Sequence, residues 1–310
     1  MMKFLYNRIN IVFLAALALS ALALTIFCRT PLSKKSLDQA RVVQKSHKKQ
    51  FTGYKAVIYD LNGVLVKISK MGMAHEIGFK DTMFYYLFDC ENKNDLQQKL
   101  FDTLAALGGY DQDPHAPCGE LGNQMPKLMC DWMNGRMTNP QEELVHINQG
   151  IEQLKQEGFF KNNREYRVMK NMINALFHPS KLNKHRKPIK PMLKLVNQIN
   201  QKGTCTQCVL SNWDGPSFQD FLTTKTGKAL TCVIDKKNIV ISADIACNKP
   251  HPDAFCHIMK SLDLDACECI FIDDQYENVQ AARKLGMVGI QVKDKNYKAV
   301  KEELKRLKVL

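Results

Sequence analysis

The first 55 residues hold a single acidic side chain, Asp38, against ten Lys and Arg, and no charged residue falls between Arg8 and Arg29. That gap excludes a solvated surface helix for Ile11 to Phe27, a run that is apolar apart from Ser20 and Thr25. Roughly 20 residues rising about 1.5 Å each span the ~30 Å hydrocarbon layer of a bilayer. Residues 1–28 therefore read as a membrane-directed helix, either a signal anchor or a signal peptide. The bases that follow it resist export, which favours an uncleaved anchor with the rest of the chain in the cytoplasm. The alternative is secretion after cleavage near the small residues Ala21 to Ala23. Residues 29–54 read as a basic linker drawn to anionic lipid.

The shortage of acids at the start also explains the net charge of +13, because nine of those charges lie before residue 56. Much of what remains sits in "KLNKHRKPIK", Lys181 to Lys190. The body of the chain is only mildly basic, so no nucleic-acid partner is expected. The eleven cysteines are odd in number and lack the regular spacing of a disulfide framework, which argues for a reducing compartment. Cys205 and Cys208 form a CxxC, but Cys267 and Cys269 stand too close together to complete a zinc ribbon; these thiols read as small core residues. Internal repeats are absent, and the 45% hydrophobic content is that of an ordinary globular chain.

Short apolar runs rich in β-branched residues recur at 55–60, 206–212, 238–244, 269–274 and 288–292. Separated by amphipathic stretches, they predict buried parallel strands of an α/β sheet. Three of them end in polar residues: Asp60, Ser211 with Asn212, and Asp273 with Asp274. Ligands bind at the carboxyl ends of such strands, so these residues are expected to converge although they are far apart in sequence. No such run appears from about Lys67 to Lys187. Helical periodicity there predicts helices over 75–88, 95–107, 140–158 and 163–177, an all-helical block inserted between the first two strands. The domain reading is an α/β core of residues 55–66 and 188–310 with a helical cap of residues 67–187.

Four segments, taken together and in order, resemble the motifs of the haloacid dehalogenase superfamily, most of whose members are Mg²⁺-dependent phosphatases. "YDLNGVL" resembles the first motif, with Asp60 in the nucleophile position, Asn62 where a second acid usually stands, and Gly63 in the turn. "VLSN" with Ser211, "NKPHPDAF" with Lys249 and "IFIDDQYENVQAARKLGM" with Asp273 and Asp274 resemble the other three. The resemblance implies a Rossmann-like core, an inserted cap that selects the substrate, and a small phosphorylated substrate. It implies that Asp60 attacks phosphorus to form an aspartyl phosphate. Mg²⁺ would lie on Asp60, the backbone carbonyl of Asn62 and Asp274, with Asp273 behind them. Lys249, Ser211, Asn212 and Gly63 would hold the phosphoryl oxygens.

Asn62 departs from the phosphatase pattern. An amide cannot protonate a leaving alcohol or activate water, and losing that help costs about 10²- to 10⁴-fold. Relatives with an unreactive second position include dehalogenases, whose halide needs no proton, so a dehalogenase-type hydrolase is the alternative, as is a catalytically impaired binding protein at a membrane. The paired acids Asp273 and Asp274 favour metal and phosphate. His75, Glu76 or His146 of the helical block are candidates for the missing proton donor, and Trp213 is a candidate for the substrate pocket as well as for the core.

Overall fold

The computed structural model describes residues 52–92, 95–111, 124–137 and 139–310. The expected membrane helix and most of the basic linker lie outside the described residues; among those described, no helix is long and apolar enough to cross a membrane.

Strand β1 (Ala56–Tyr59) is followed by the short β2 (Val66–Ile68), then by helices α1 (Lys70–Ile77), α2 (Phe79–Phe88), α3 (Asp95–Gly108), α4 (Lys127–Met133), α5 (Pro140–Gln156) and α6 (Asn163–Leu176). The chain returns through β3 (Arg186–Pro188), α7 (Lys190–Lys202), β4 (Thr206–Ser211), α8 (Gly215–Thr223), α9 (Lys225–Thr231), β5 (Ile239–Ile241) and α10 (Ser242–Ile245). It closes with α11 (Pro252–Ser261), β6 (Cys269–Asp273), α12 (Tyr276–Lys284), β7 (Val288–Gln291) and α13 (Tyr297–Arg306).

Five strands form a parallel sheet in the order β5-β4-β1-β6-β7. Because successive side chains on a strand point to opposite faces, β1 sends Val57 and Tyr59 into one apolar cluster and Ala56 and Ile58 into another. Strand β6 divides in the same way, with Ile270 and Ile272 on one side and Cys269 and Phe271 on the other. Both faces are thus covered, and each fully buried aliphatic or aromatic side chain contributes about 1.5–3 kcal/mol. Tyr59 is fully buried, and its hydroxyl donates to Gln207 Oε1 at 2.7 Å. Cys208 and Cys269 are buried within β4 and β6, where burial pushes both thiols up to about 12.

The helices between β2 and β3 enclose a third, separate cluster that includes Leu100, Phe101, Val168, Met169, Ile173 and Phe177. Asn162 caps α6 by accepting from the backbone N–H of Arg164 (2.9 Å) and Glu165 (3.0 Å), and α5 carries Pro140 in its first turn. The expected single helix over 75–88 is broken in two. Gly78 takes φ +98°, a conformation that ends α1 and starts α2 at a new angle. Two further differences concern the edges of the block. Val66–Ile68 and Arg186–Pro188 pair antiparallel, with Ile68 opposite Arg186, so the block enters and leaves through adjacent strands. Each strand is three residues long, too short for a run to stand out in the sequence. Helix α4, which follows Pro126, was not expected either, since its seven residues complete under two turns.

Candidate active site at the carboxyl ends of three strands

In the parallel register Tyr59 lies beside Val209 on one side and Ile272 on the other, so Asp60, Ser211 and Asp273 emerge at one edge of the sheet. The Asp60 N–H donates to the Ile272 carbonyl (2.9 Å), fixing the nucleophile candidate to the end of β6. Carboxylate oxygens of Asp60, Asp273 and Asp274 all lie within 4.8 Å of one another.

Lys249 is 1% exposed, and its ammonium donates to Asp60 Oδ1 at 2.8 Å and to Asp273 Oδ2 at 2.7 Å. Asp273 also accepts from the backbone N–H of Gln275 (2.8 Å) and from Asn278 Nδ2 (3.0 Å), which anchors it at the start of α12. The Lys249 backbone is held by the Asn212 side chain, which accepts from the Lys249 N–H and donates to its carbonyl, both at 2.8 Å. Asn212, expected to touch substrate, therefore spends its amide on placing Lys249. Ser211 is buried at the end of β4, and its hydroxyl acts to lower the Asp60 carboxyl.

Three carboxylates share one ammonium. Burial raises the Asp60 carboxyl to about 6; the Lys249 charge opposes the rise, and Asp273 adds to it. Burial and the charges of Asp273 and Asp60 push Asp274 well above the ordinary carboxylate range. A hard divalent cation would relieve this excess, and a set of carboxylate oxygens is what Mg²⁺ takes from a protein. The turn after β1 fits the same purpose. Gly63 has φ +81°, and a Cβ there would lie 2.0 Å from Asp274 Oδ2, so only glycine lets the first turn approach that carboxylate. Gly63 thus makes room for Asp274, and the residues present fit a bound Mg²⁺.

Asn62 faces a partner that sequence reasoning did not assign. Arg186 Nη1 donates to Asn62 Oδ1. The guanidinium carbon lies 4.1 Å from the centroid of the Trp213 ring, and Arg186 Nε donates to Asn183 Oδ1 at 2.9 Å. Burial pulls the guanidinium down to about 10, against the attraction of Asp214 and Asp60, so it stays charged at neutral pH. Arg186 was hidden in the Lys181–Lys190 cluster, where one base looks like another; its place opposite Ile68 on β3 is the distinguishing signal.

Trp213 takes the core place that was one of its two expected roles. It is 4% exposed, it packs against Phe218 and Phe221, and it lines the cavity that also reaches Asn62 and Arg186. His75, Glu76 and His146 do not line that cavity. Glu76 instead accepts from His185 Nε2 (2.7 Å) and pairs with Lys184 (2.9 Å); burial would raise its carboxyl, but these hydrogen bonds, with that of His75, hold it down at about 2. Ionised at neutral pH, it has no proton to give.

An open parallel sheet with carboxylates, lysine and serine gathered at the strand ends defines a hydrolase of the α/β class. The chain belongs to the haloacid dehalogenase-like hydrolases, whose family model matches residues 54–286. It is 43% identical over 56 residues to a sesquiterpene phosphatase of Aspergillus oryzae, and 29% identical over 108 residues to the bifunctional epoxide hydrolase 2 of Rattus norvegicus. These matches cover 18% and 34% of the chain, and 29% and 19% of the relatives, so the chain spans less than a third of either. Similar solved structures include a family enzyme from Bacteroides thetaiotaomicron in complex with magnesium and inorganic phosphate (16% identity, TM-score 0.44, 77% of this chain and 94% of that one). Another is the L-2-haloacid dehalogenase from Xanthobacter autotrophicus with chloropropionic acid covalently bound (17% identity, TM-score 0.44, 83% and 84%).

Proposed function

We propose that this hydrolase is a Mg²⁺-dependent phosphatase that cleaves small organic phosphate monoesters through a covalent intermediate on Asp60. The observation that carries the reading is the Asp60 carboxylate at the mouth of β1, with one oxygen held by buried Lys249 and with Asp274 beside it. Oδ1 is fixed by the ammonium, which leaves Oδ2 to attack phosphorus. The P–O bond to the alcohol breaks as the acyl phosphate forms, and water then attacks that phosphorus, releasing inorganic phosphate and restoring Asp60. Lys249 and the Ser211 hydroxyl hold charge at the phosphoryl group as it spreads. Asp60, Asp274 and the Asn62 backbone carbonyl would hold Mg²⁺, which when bound offsets the repulsion between an anionic ester and the carboxylates.

Asn62 cannot supply the proton that the leaving oxygen takes up. The charge of Arg186, which donates to the Asn62 side chain, stabilises the departing oxygen electrostatically. The curated relative that is a phosphatase supports phosphoryl chemistry, and the helices α1–α6 serve as the cap.

Hydrolysis of p-nitrophenyl phosphate tests the reading, because the nitrophenolate leaves with little need for a proton. Turnover that requires Mg²⁺ and is abolished in Asp60→Asn is the expected result. Halide release from a 2-haloacid without metal would replace it with a dehalogenase, and neither activity would leave a binding protein.

A further inference from the structure

Beside Asn62 a cavity of about 120 Å³ lies between the sheet edge and the helical block. Its walls are Met129, Trp132 and Met133 of α4, Phe177 and Leu182 beyond α6, and Trp213 of the core. We infer that this cavity receives the alcohol part of the substrate, and that the alcohol is an apolar one, an alkyl, prenyl or alkylaromatic chain. The inference rests on the phosphatase reading of the adjacent site and adds the class of ester.

Two features of the lining support it. The polar groups that reach the cavity are mostly engaged elsewhere. Asp214 accepts from the Ser217 N–H (2.7 Å) at the start of α8, Asn183 Nδ2 donates to the carbonyls of Pro179 (2.8 Å) and Ser217 (2.6 Å), and Asn212 is held by the Lys249 backbone. These contacts leave fewer groups to satisfy the hydroxyls of a sugar, and a polar group buried without a partner is disfavoured. Arg186 and Asn62 meet on the same lining, so the cavity offers a cation for an anionic head beside apolar walls for a greasy tail.

The two walls are also tied together. The Ser242 hydroxyl donates to the Met133 carbonyl at 2.8 Å and accepts from the Trp213 N–H at 2.9 Å, while Trp132 packs on Phe177 with ring centroids 5.5 Å apart. The apolar surface is thus held in place before a ligand arrives, which reduces the cost of binding.

The chain has two tryptophans, Trp132 and Trp213, and both line this cavity, so its intrinsic fluorescence reports occupancy. The experiment titrates the full chain, in Mg²⁺, with butyl-, pentyl-, hexyl- and octylphosphonate, which cannot be hydrolysed, and with glucose 6-phosphate. The expected Kd falls about four-fold for each added methylene until the cavity is full, and glucose 6-phosphate binds more weakly than butylphosphonate. Leu182→Asn and Met129→Asn each flatten the series; with two variants, either one that keeps the native circular dichroism is sufficient. A Kd independent of chain length, or a slope retained in a folded variant, overturns the inference. Turnover of p-nitrophenyl phosphate is scored separately. Turnover with a flat series removes the apolar alcohol and keeps the phosphatase, whereas a graded series without turnover keeps the cavity assignment and removes the phosphatase.

Discussion

Asn62→Asp restores, in composition, the acid that the phosphatases of this family use, and a general acid is worth about 10²- to 10⁴-fold. The surroundings predict a much smaller gain. Arg186 Nη1 already donates to the Asn62 side-chain oxygen, so a carboxylate introduced there pairs with a buried guanidinium. Such a pairing holds a carboxyl well below its ordinary range. At pH 7 almost none of the new carboxyl would then hold a proton. Asn62→Asp alone should therefore raise turnover of hexyl phosphate less than about ten-fold. Combined with Arg186→Gln the new acid loses its cation, burial raises it as it raises Asp60, and turnover should exceed that of Arg186→Gln alone by about 10²-fold or more. The assay is inorganic phosphate release from hexyl phosphate and p-nitrophenyl phosphate side by side, since only the first needs the proton. A hundred-fold gain from Asn62→Asp alone would refute the reasoning, as would a double variant no faster than Arg186→Gln.

Lys249→Met removes the cation between Asp60 and Asp273 and leaves buried like charges, for a loss of about 3–5 kcal/mol in urea unfolding; added Mg²⁺ should recover part of it. Gly63→Ala places a methyl on Asp274 and strains a positive φ, so calorimetry should show Mg²⁺ affinity lowered at least about ten-fold. Glu76→Gln tests the ion cluster at the start of the helical block. The folded carboxyl sits at about 2, below its ordinary 4.5, so its stabilisation is fully present above pH 4.5 and is lost as pH falls toward 2. The variant should cost up to about 3 kcal/mol at pH 7 and less than half as much at pH 3.

The five sheet strands were legible because each is a mostly apolar run of three to six residues framed by helices, and because parallel strands covered on both faces need such runs. The convergence of Asp60, Ser211 and Asp273 followed from the same pattern, since the carboxyl ends of neighbouring parallel strands share an edge. What escaped was decided by three-dimensional neighbours with no local mark. Arg186 differs from Lys184 or Lys187 only in lying opposite Ile68 and over Trp213. Asn212 looks like a ligand-facing amide until the Lys249 backbone is seen to occupy it. Glu76, an acid on a helix beside the core, resembles a proton donor until His185 and Lys184 are found holding it ionised. The break at Gly78 could have been suspected from the glycine alone, but the apolar periodicity runs on across it.

The β2–β3 ribbon has an architectural consequence. Ile68 and Arg186 are separated by more than a hundred residues yet sit opposite each other, so the whole intervening stretch joins the rest of the fold at a single two-stranded seam outside the parallel sheet. A stretch joined in this way can be lengthened, shortened or exchanged without rerouting any neighbouring strand. The arginine, carried on the seam itself, keeps its place beside Asn62 whatever is spliced in beyond it.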